Sequence, residues 1–589
     1  MNKLSLFSII MILIAVRAFS QDNKATTFPT KDWTKIRNPI ASEDAEVGGQ
    51  VVIFAHQYPK SFNYYTDQNS FSATLFGLMF DSLLNTNPTT LERMPSIVNK
   101  WTISIDKLTY TLYIDPKAQW SDGKPITSAD VAFTYDTVMN NLTGPWQTDF
   151  KKINKPEIID EKTFKIVAKE VHWNIEGIIA NIIVLPKHAM GGQDFMKINF
   201  EFPVVSGGYK IKEVKEGNFV DFERRKDWWA KYSKINDGIN NFQIIKYKFF
   251  AEENNAFDSF QKGEIDIFAV YMAKRWIEMA TGEKYDKNQI SKQRIFNFSP
   301  PGFQGFAMNM RRPLFKDKRV RLALAHLLNR ERFNEELMFK QYVLTSSYFA
   351  DLYSKEHPNK NRIVDFNKDK AKKLLDEAGW KPNKNGILEK EGLLFEFNFL
   401  IQDSTSNKFL DIYKDDLKDV GIILKAVLKD QATWSKDMDT YNYDMTWAAF
   451  GGGIFKDPES SWDTKEITTI SGGNWPGFSS PQVDALIEKQ KSEFDVEKRN
   501  EMVRQIDAIL TEEQPYILLW HNDNTRLLYW NKFGMPVTVL DKFGDESSAV
   551  SYWWYDKEAD NALQDSIKTS KSLKKKSSSV KFEEAYKGK

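Results

Sequence analysis

The chain of 589 residues contains no cysteine. This absence excludes disulfides, thiolate nucleophiles, cysteine-ligated zinc and iron–sulfur clusters. It also excludes the lipid anchor of a bacterial lipoprotein, which is attached to a cysteine at the signal-peptide cleavage point. We therefore predict that a secreted product is released freely and retained in the periplasm of a cell with two membranes.

Charge of one sign is not in excess either, since 81 Lys and Arg balance 80 Asp and Glu. Without a net positive field the chain has no general means of holding a phosphate backbone, so nucleic acid is not a predicted partner. Histidine is scarce, and the six residues are scattered singly instead of at the helical or turn spacing of a local metal site. We predict no metal and no cofactor, although a site assembled from distant segments stays open.

Compact catalytic motifs are absent as well. The sequence has no phosphate-binding Gly-x-x-x-x-Gly-Lys-Ser/Thr, no Gly-x-Ser-x-Gly, no His-Glu-x-x-His and no EF-hand loop. Paired carboxylates of a glycoside hydrolase are not tested by sequence, because 80 acidic residues offer too many pairs. We therefore predict no catalytic residue and a protein that is not an enzyme.

The N-terminus has the pattern of a cleavable signal peptide, residues 1–20. Lys3 supplies the positive start, Leu4–Val16 is an apolar run, and Ala18-Phe19-Ser20 is a small-x-small cleavage site. An N-terminal anchor helix is the alternative, but the run is too short to span a bilayer. Residues 21–46 lack periodicity, so we expect a flexible, solvated leader before a fold that starts near Val47.

Hydrophobic periodicity indicates an α/β protein. Alternation over Leu108–Ile114 predicts a half-buried strand, and Thr127 with Asp130 fits a capping box at the start of the next helix. Phe395–Ile401 and Ile422–Val427 read as strands, and the helix between them ends at Gly421. This βαβ pattern predicts a parallel sheet.

The same patterns place further elements along the chain. Predicted strands are 50–54, 164–168, 219–222, 244–250, 295–298 and 306–310. Predicted helices are 255–263, 318–329, 368–378, 411–420, 483–491 and 496–511.

The best candidate for a ligand cleft is the glycine run Gly451-Gly452-Gly453. It is not a phosphate cradle, because no helix start with Lys or Arg follows. Because glycine has no side chain, another chain can approach it and hydrogen-bond to its main chain. The alternative interpretation of the run is a bulge or a flexible loop. Six large aromatic residues surround it, more than the loop needs for its own packing: Trp447, Phe450, Phe455, Trp462, Trp475 and Phe478.

Several blocks, in order, resemble bacterial family 5 extracellular solute-binding proteins, the oligopeptide, dipeptide and nickel receptors of ABC importers. The most specific block is "WTISIDKLTYTLYIDPKAQWSDGKPITSADVAF" at 101–133. "PVVSGGYKI" at 203–211, "FQKGEIDI" at 260–267 and "RVRLALAHLLNRERFNEELMFKQY" at 319–342 follow. The last block and the aromatic Tyr552–Asp556 are most similar to the branch associated with microcin C and oligopeptide uptake.

The resemblance implies a two-lobed α/β binding protein in which two crossing segments form a hinge. Lobe one would be 47–302, with an extra subdomain at about 91–230, and lobe two 303–520. The chain would return to lobe one at 521–567 and end in a basic tail, 568–589. The crossings are expected near Gly302–Met310 and Tyr516–Arg526, and closure would trap the ligand.

One departure concerns the ligand's N-terminal amine. Many peptide receptors of the family carry the segment "Trp-x-x-Asp-x-x-Asp-Pro", in which the Asp four residues before the Pro pairs with that amine. In this chain, counting back four residues from Pro458 gives Ile454. Asp457 or Glu459 could replace this carboxylate, but neither lies at the same position in the segment. We therefore expect a blocked, longer or modified peptide to be an acceptable ligand.

The resemblance and the aromatic cluster together predict a monomeric receptor that binds an oligopeptide or peptide-like compound and delivers it to an inner-membrane ABC permease. The predicted ligand-binding residues are Asn63, Tyr64, Trp447, Phe450, Gly451, Gly452, Asp457 and Trp475. Each aromatic residue has core packing as its alternative. Receptors for a metal chelate, haem or sugar, a hydrolase with paired carboxylates, and a chaperone for extended chains stay open.

The tail, Lys568–Lys589, is the one compositionally biased segment, with eight Lys and two Glu. We expect a frayed, solvated end, with contact to a membrane surface as the alternative.

Overall fold

A computed structural model describes residues 25–56, 58–67, 69–142 and 145–587. The predicted signal peptide lies outside these residues. Chain contacts divide the protein into two units, Met1–Ala41 with Ala55–Phe249 and Ser42–Phe54 with Phe250–Lys589. The predicted lobe boundaries after 302 and 520 fall inside the second unit, so lobe two as 303–520 stays a prediction. Over the described residues, no helix has the length and apolar character needed to cross a membrane.

The first unit combines antiparallel strands with short helices. Its strands are Thr26–Phe28, Leu84–Thr86, Arg93–Pro95, Val98–Ile103, Thr109–Ile114, Glu157–Ile158, Thr163–Val167, Tyr209–Lys215, Phe219–Arg224 and Phe242–Lys248. Its α-helices are Ser70–Met79, Ser128–Asn141, Pro145–Lys151, Ile175–Ala180 and Lys187–Met190.

The capping box at Thr127 is confirmed. Asp130 Oδ2 accepts hydrogen bonds from the backbone N–H and the hydroxyl of Thr127, and the helix Ser128–Asn141 follows. The preceding strand Thr109–Ile114 alternates as predicted, with Tyr110, Leu112 and Ile114 buried. The local pattern therefore predicts this strand and helix correctly.

The leader is not wholly solvated, and the prediction that the fold starts near Val47 is wrong. Thr26–Phe28 pairs antiparallel with Val98–Ile103 at the edge of a five-stranded sheet. The Phe28 ring stacks on Trp101 at 5.6 Å. Trp33 is buried as well. A three-residue edge strand is too short to produce a periodic pattern, so no local signal predicts it.

The second unit contains the parallel strands. Its strands are Gly48–Phe54, Ile267–Ala269, Ile290–Phe296, Phe303–Met308, Val343–Leu344, Lys381–Pro382, Leu388–Lys390, Leu393–Leu394, Glu396–Ile401, Ile423–Leu428, Met445–Phe450, Tyr516–Leu518, Trp520–His521, Thr525–Trp530, Phe533–Gly534, Trp554–Tyr555 and Ser579–Lys581. Its α-helices are Glu253–Lys262, Glu283–Asp286, Lys318–His326, Arg330–Arg332, Lys368–Glu377, Asn407–Lys418, Gln431–Asp439, Glu459–Trp462, Pro481–Lys491, Val496–Glu513, Ser548–Tyr552, Lys557–Thr569 and Phe582–Lys587.

One sheet of this unit ends in the C-terminal tail. Ser579–Lys581 pairs in parallel with Ile290–Phe296, which pairs antiparallel with Thr525–Trp530. Phe582 is buried beside Phe298, with ring centroids 6.4 Å apart. The expectation of a frayed, solvated tail is therefore wrong, because pairing and one buried ring hold it against the sheet.

A second sheet of this unit contains the predicted βαβ element. Glu396–Ile401 lies parallel to both Ile423–Leu428 and Met445–Phe450. Phe303–Met308 runs antiparallel beside Met445–Phe450, and Tyr516–Leu518 pairs with its other edge. The parallel pairing confirms the sheet type predicted from the sequence.

The chain passes between these two sheets twice. It leaves the first sheet after Phe296 and enters the second at Phe303, and it returns between Leu518 and Thr525. These passages lie at the segments predicted as crossings. They bring the ends of Phe303–Met308 and Tyr516–Leu518 side by side.

Candidate functional site

A cavity of about 380 Å³ opens where the parallel strands of the second sheet end. Its lining includes the last two residues of Glu396–Ile401 and three residues of the neighbouring strand Met445–Phe450. The lining residues are Leu400, Ile401, Gln402, Asp403, Thr405, Ser406, Phe409, Trp434, Thr446, Trp447, Ala449 and Trp475. In open α/β sheets ligands bind outside the carboxyl ends of the strands, so this is the candidate ligand-binding site.

Trp447 forms the inner wall of the cavity and is partly buried. Its indole N–H donates a hydrogen bond to Gln304 Oε1 at 3.1 Å, and its ring packs edge-to-face on Phe409 and Trp520. One part of the ring therefore packs on the core and another lines the cavity. A contact of Trp447 with a ligand stays a prediction.

Phe450 lies three residues further along the same strand, and strand alternation turns it to the opposite face. Its ring stacks on Phe303 and meets Trp475 edge-to-face, both with centroids 5.0 Å apart. Phe450 is not part of the cavity lining, whereas Trp475 is. Phe450 therefore supports the wall that Trp475 forms.

The loop that carries Trp475 is held by a partly buried hydrogen-bond network. The Trp475 carbonyl accepts from Arg311 at 2.8 Å and from the Tyr443 hydroxyl at 2.6 Å. Arg311 also donates to the carbonyls of Ile467 and Asn474. Burial lowers the pKa of Arg311 and raises that of Tyr443. Because two donors hold the Trp475 carbonyl, the backbone that carries the indole is fixed in the absence of a ligand.

The glycine run follows the strand end, and its members differ. Gly451 is exposed, and a Cβ there would meet no atom within 4 Å. A Cβ on Gly452 would lie 2.6 Å from the Pro300 carbonyl oxygen and 2.7 Å from the Gly302 nitrogen. The close approach that requires Gly452 is thus made by the protein's own crossing segment. Gly451 leaves main chain open to a ligand.

The structure separates the two carboxylates considered as anchors for an amine. Glu459 Oε1 forms ion pairs with Lys465 at 2.6 Å and Lys491 at 2.8 Å, so its charge is already compensated. Asp457 is half-buried, and its Oδ1 accepts the Glu459 backbone N–H at 3.2 Å. Ile454, at the position of the family's carboxylate, is exposed. A ligand contact of Asp457 stays a prediction.

Asn63 and Tyr64 lie in the first unit. Asn63 is fully buried, and its Nδ2 donates to the Ile198 carbonyl at 3.0 Å while its Oδ1 accepts the Tyr65 backbone N–H. Its side chain thereby shapes the loop. The partly buried Tyr64 ring meets Trp146 edge-to-face at 5.6 Å, and burial raises the Tyr64 pKa. Direct ligand contacts of either residue stay predictions.

Sequence reasoning named only two of the twelve lining residues, Trp447 and Trp475, and three of those it missed carry aromatic or charged side chains. Trp434 belongs to the helix Gln431–Asp439 and Phe409 to the helix Asn407–Lys418. Asp403 is an exposed carboxylate two residues after the end of a parallel strand, and its Oδ1 accepts the Thr405 backbone N–H at 2.8 Å. A polar residue at the end of a predicted parallel strand was the available signal for Asp403. The two aromatic residues gave none, because helical aromatic residues usually fill cores.

An aromatic cavity at the strand ends, with exposed main chain beside it, defines a small-molecule or peptide binding protein. Residues 92–472 match the model of the bacterial extracellular solute-binding proteins, family 5. The chain therefore belongs to this family, and the predicted family is confirmed.

Among curated relatives, the uncharacterized protein YejA of Escherichia coli is 26% identical, covering 88% of this chain and 90% of its own length. The oligopeptide-binding protein AppA of Bacillus subtilis is 25% identical, covering 83% and 90%. The structure of AppA in complex with a nonapeptide matches with a TM-score of 0.72 at 22% identity, over 87% of this chain and 100% of that one.

A second solved structure, NikZ from Campylobacter jejuni in complex with Ni(L-His), matches with a TM-score of 0.69 at 19% identity, over 88% of this chain and 100% of that one. These neighbours confirm the predicted two-lobed α/β binding-protein fold. Because proteins that share a fold bind many different ligands, these structures do not identify what this chain binds.

Proposed function

We propose that this protein is a non-catalytic receptor that captures an oligopeptide or peptide-like compound and delivers it to an inner-membrane ABC permease. It acts as a monomer in the periplasm after removal of residues 1–20. The relatives support this proposal, since the name of AppA states oligopeptide binding.

The observation that carries the proposal is the aromatic cavity beside the exposed Gly451. Main-chain groups at the end of Met445–Phe450 offer hydrogen bonds that any peptide sequence can make. The rings of Trp434, Trp447 and Trp475 offer a pocket for one side chain. A volume of about 380 Å³ is at the lower end of the range for ligand pockets, which suits one large side chain better than a whole ligand.

Native mass spectrometry of the protein purified from its secreted compartment, without unfolding, tests the cargo. We expect a distribution of adducts that resolve into peptides after denaturation. Their N-terminal chemistry tests the missing carboxylate at Ile454. A single haem, sugar or metal-chelate mass would contradict the peptide cargo while leaving the fold intact, and steady conversion of the bound compound would contradict a non-catalytic role.

Two variants test the site. Trp434→Ala and Trp475→Ala each remove a pocket wall, and we expect at least a tenfold loss of affinity for the peptides identified by mass spectrometry. Tyr232→Ala is the control, since Tyr232 is 88% exposed and is not among the cavity residues. Equal affinity of all three variants and the native protein would place the ligand elsewhere.

A further inference from the structure

The aromatic cavity of the candidate site carries one charged side chain. Among the twelve described residues that line it, Asp403 is the one acid, and there is no Lys, Arg or His. The lining therefore carries a single negative charge, although the whole chain is nearly neutral. A cavity lined by charge of one sign favours a guest of the opposite sign.

The Asp403 carboxylate has capacity for a further partner. Its Oδ1 accepts the backbone N–H of Thr405 at 2.8 Å and also the Thr405 hydroxyl. Thr405 lines the cavity as well, so this turn holds the carboxylate at the cavity wall. Within the described part of the chain, Oδ2 accepts no hydrogen bond and the carboxylate forms no ion pair. Hydrogen bonds from a charged donor to such a carboxylate are stronger than those from a neutral one.

The threonine hydroxyls of the lining offer acceptors and not donors. The Thr405 hydroxyl donates to Asp403, and the Thr446 hydroxyl donates to a backbone carbonyl at 2.9 Å. Because a hydroxyl has a single proton, these two oxygens have only lone pairs left. The remaining polar side chains, those of Gln402 and Ser406, can donate or accept. A guest that consists of donors, such as an ammonium or a guanidinium group, therefore suits this wall better than an anion does.

Aromatic rings wall the cavity on two sides. Phe409 and Trp447 pack with one hydrophobic core of the second unit, and Trp434 and Trp475 pack with another. The face of an aromatic ring attracts a cation, most strongly in tryptophan. The ammonium of Lys408, a residue outside the lining, already lies over the Phe409 ring, 5.1 Å from its centroid. Over the described residues, no cation lies over the three tryptophan rings.

We propose that this cavity binds a cationic side chain of the ligand, a lysine or an arginine, and that Asp403 sets this preference. The inference rests on the proposed function, because the side chain belongs to the peptide that the receptor captures. The Asp403 carboxylate attracts the cation and accepts its hydrogen bonds. The tryptophan rings cover the aliphatic stem of the side chain and the face of its charged group. An acidic side chain would meet the same carboxylate with no cation in the lining to compensate, so the cavity rejects it.

Isothermal titration of the mature protein, freed of co-purified ligand, tests the preference. The probes are alanine pentapeptides in which each position in turn carries lysine, norleucine or glutamate. Norleucine has the carbon chain of lysine without the ammonium group, so it separates charge from apolar contact. At one position we expect the lysine peptide to bind about tenfold more tightly than the norleucine peptide, and the glutamate peptide to bind more weakly than both. Raised salt should reduce the advantage of lysine.

Asp403→Asn tests the residue. The amide oxygen can still accept the Thr405 N–H, so the variant keeps the turn and loses the charge. We expect Asp403→Asn to bind the lysine and norleucine peptides equally, with an affinity for norleucine unchanged from the native protein. Asp430→Asn is the matched control, since Asp430 is also an exposed acid that accepts a backbone N–H at a helix start but lies outside the lining. It should keep the native preference for lysine.

A second variant, Trp434→Leu, keeps an apolar wall and removes one ring face. We expect it to weaken binding of the lysine peptide more than binding of the norleucine peptide. If Asp403→Asn fails to fold, this variant decides, and an equal loss for both peptides would overturn the cationic guest.

The outcomes distinguish this inference from the proposed function. Equal affinity of the native protein for the lysine and norleucine peptides at every position would overturn the inference and leave a peptide receptor. A lysine preference that persists in Asp403→Asn would overturn the role of Asp403. Failure of every peptide to bind would contradict the proposed function, and the inference would fall with it.

Discussion

Gly451 and Gly452 are adjacent and have different reasons to be glycine. Gly452 has no room for a side chain because the crossing segment at Pro300 and Gly302 passes against it, whereas Gly451 faces open space. The sequence shows only that the residues of this glycine run have no side chains. Which glycine is structural depends on a contact with residues about 150 positions away.

We predict that Gly452→Ala lowers stability and that Gly451→Ala does not. The new Cβ in Gly452→Ala must displace backbone atoms, which costs about 1–3 kcal/mol. Chemical unfolding of both variants checks this, with Gly451→Ala as the matched control. Equal unfolding midpoints would contradict the close approach. Weaker peptide binding by Gly451→Ala alone would support its open position beside the ligand.

Asp81 is a carboxylate whose environment favours its neutral form. Its Oδ2 accepts the indole N–H groups of Trp228 at 3.2 Å and Trp229 at 2.9 Å. Burial outweighs these bonds and raises its pKa from 3.8 to about 6. Because the pKa is higher in the folded state, the contribution of this group to stability is fully present below pH 3.8 and is lost as the pH rises through 6.

We predict that Asp81→Asn removes this pH dependence, because the amide oxygen still accepts both indole N–H groups and does not titrate. Between pH 4 and pH 7 the native protein should lose about 2 kcal/mol more unfolding free energy than the variant. Urea unfolding of the native protein and of the variant at both pH values measures this difference. The contributions of the other titrating groups cancel, because both proteins contain them. Parallel pH profiles would show that Asp81 titrates normally.

At the scale of elements, both described ends of the chain add a short strand to the edge of a sheet. Thr26–Phe28 and Ser579–Lys581 each have three residues, and each has a buried or stacked aromatic ring next to it or within it. Three residues show no measurable alternation, and lysine-rich composition points to solvent. The pairing partner decides these strands, which is why sequence reasoning treated both ends as disordered.

We predict that Phe582→Ala releases the tail. Removing a buried ring costs about 3 kcal/mol, which exceeds what three paired residues provide in isolation. Limited trypsin digestion should then cleave at the lysines of 568–581 faster than in the native protein. Lys574→Ala, which removes an exposed side chain and one cleavage point, should leave the remaining cleavage rates unchanged. Equal rates in Phe582→Ala and the native protein would show that the ring does not hold the tail.

For the whole molecule, the two passages between the sheets of the second unit fit the hinge expected of a receptor that closes on its ligand. The absence of cysteine makes this testable, since introduced cysteines are the sole labelling sites. Lys262 and Lys418 are exposed at the ends of helices in the regions on either side of the passages.

We predict that spin labels at Lys262→Cys and Lys418→Cys move closer when peptide binds, because closure brings the two regions together. Pulsed dipolar spectroscopy measures the distance distribution with and without ligand. Lys373→Cys with Lys418→Cys is the control pair, since both residues belong to 303–520 and their separation should stay constant. An unchanged distance in the first pair, with ligand shown to be bound, would contradict closure.

The sequence by itself determined the elements that repeat a local pattern. The strand at Thr109–Ile114, the capping box of Thr127 and Asp130, and the parallel βαβ element follow from alternation, capping chemistry and the short link after Gly421, all of which act over a few residues. The order and spacing of several sequence blocks were enough to indicate the family.

The tertiary structure alone decided which residues meet. Trp434, Phe409 and Asp403 join Trp447 and Trp475 in one cavity because parallel strands bring distant segments to the same sheet edge. Phe450 lies behind that wall because its side chain is on the other face of the strand, where it stacks on Phe303. The basic tail became part of a sheet for the same physical reason: contacts between residues far apart in sequence leave no local pattern to read.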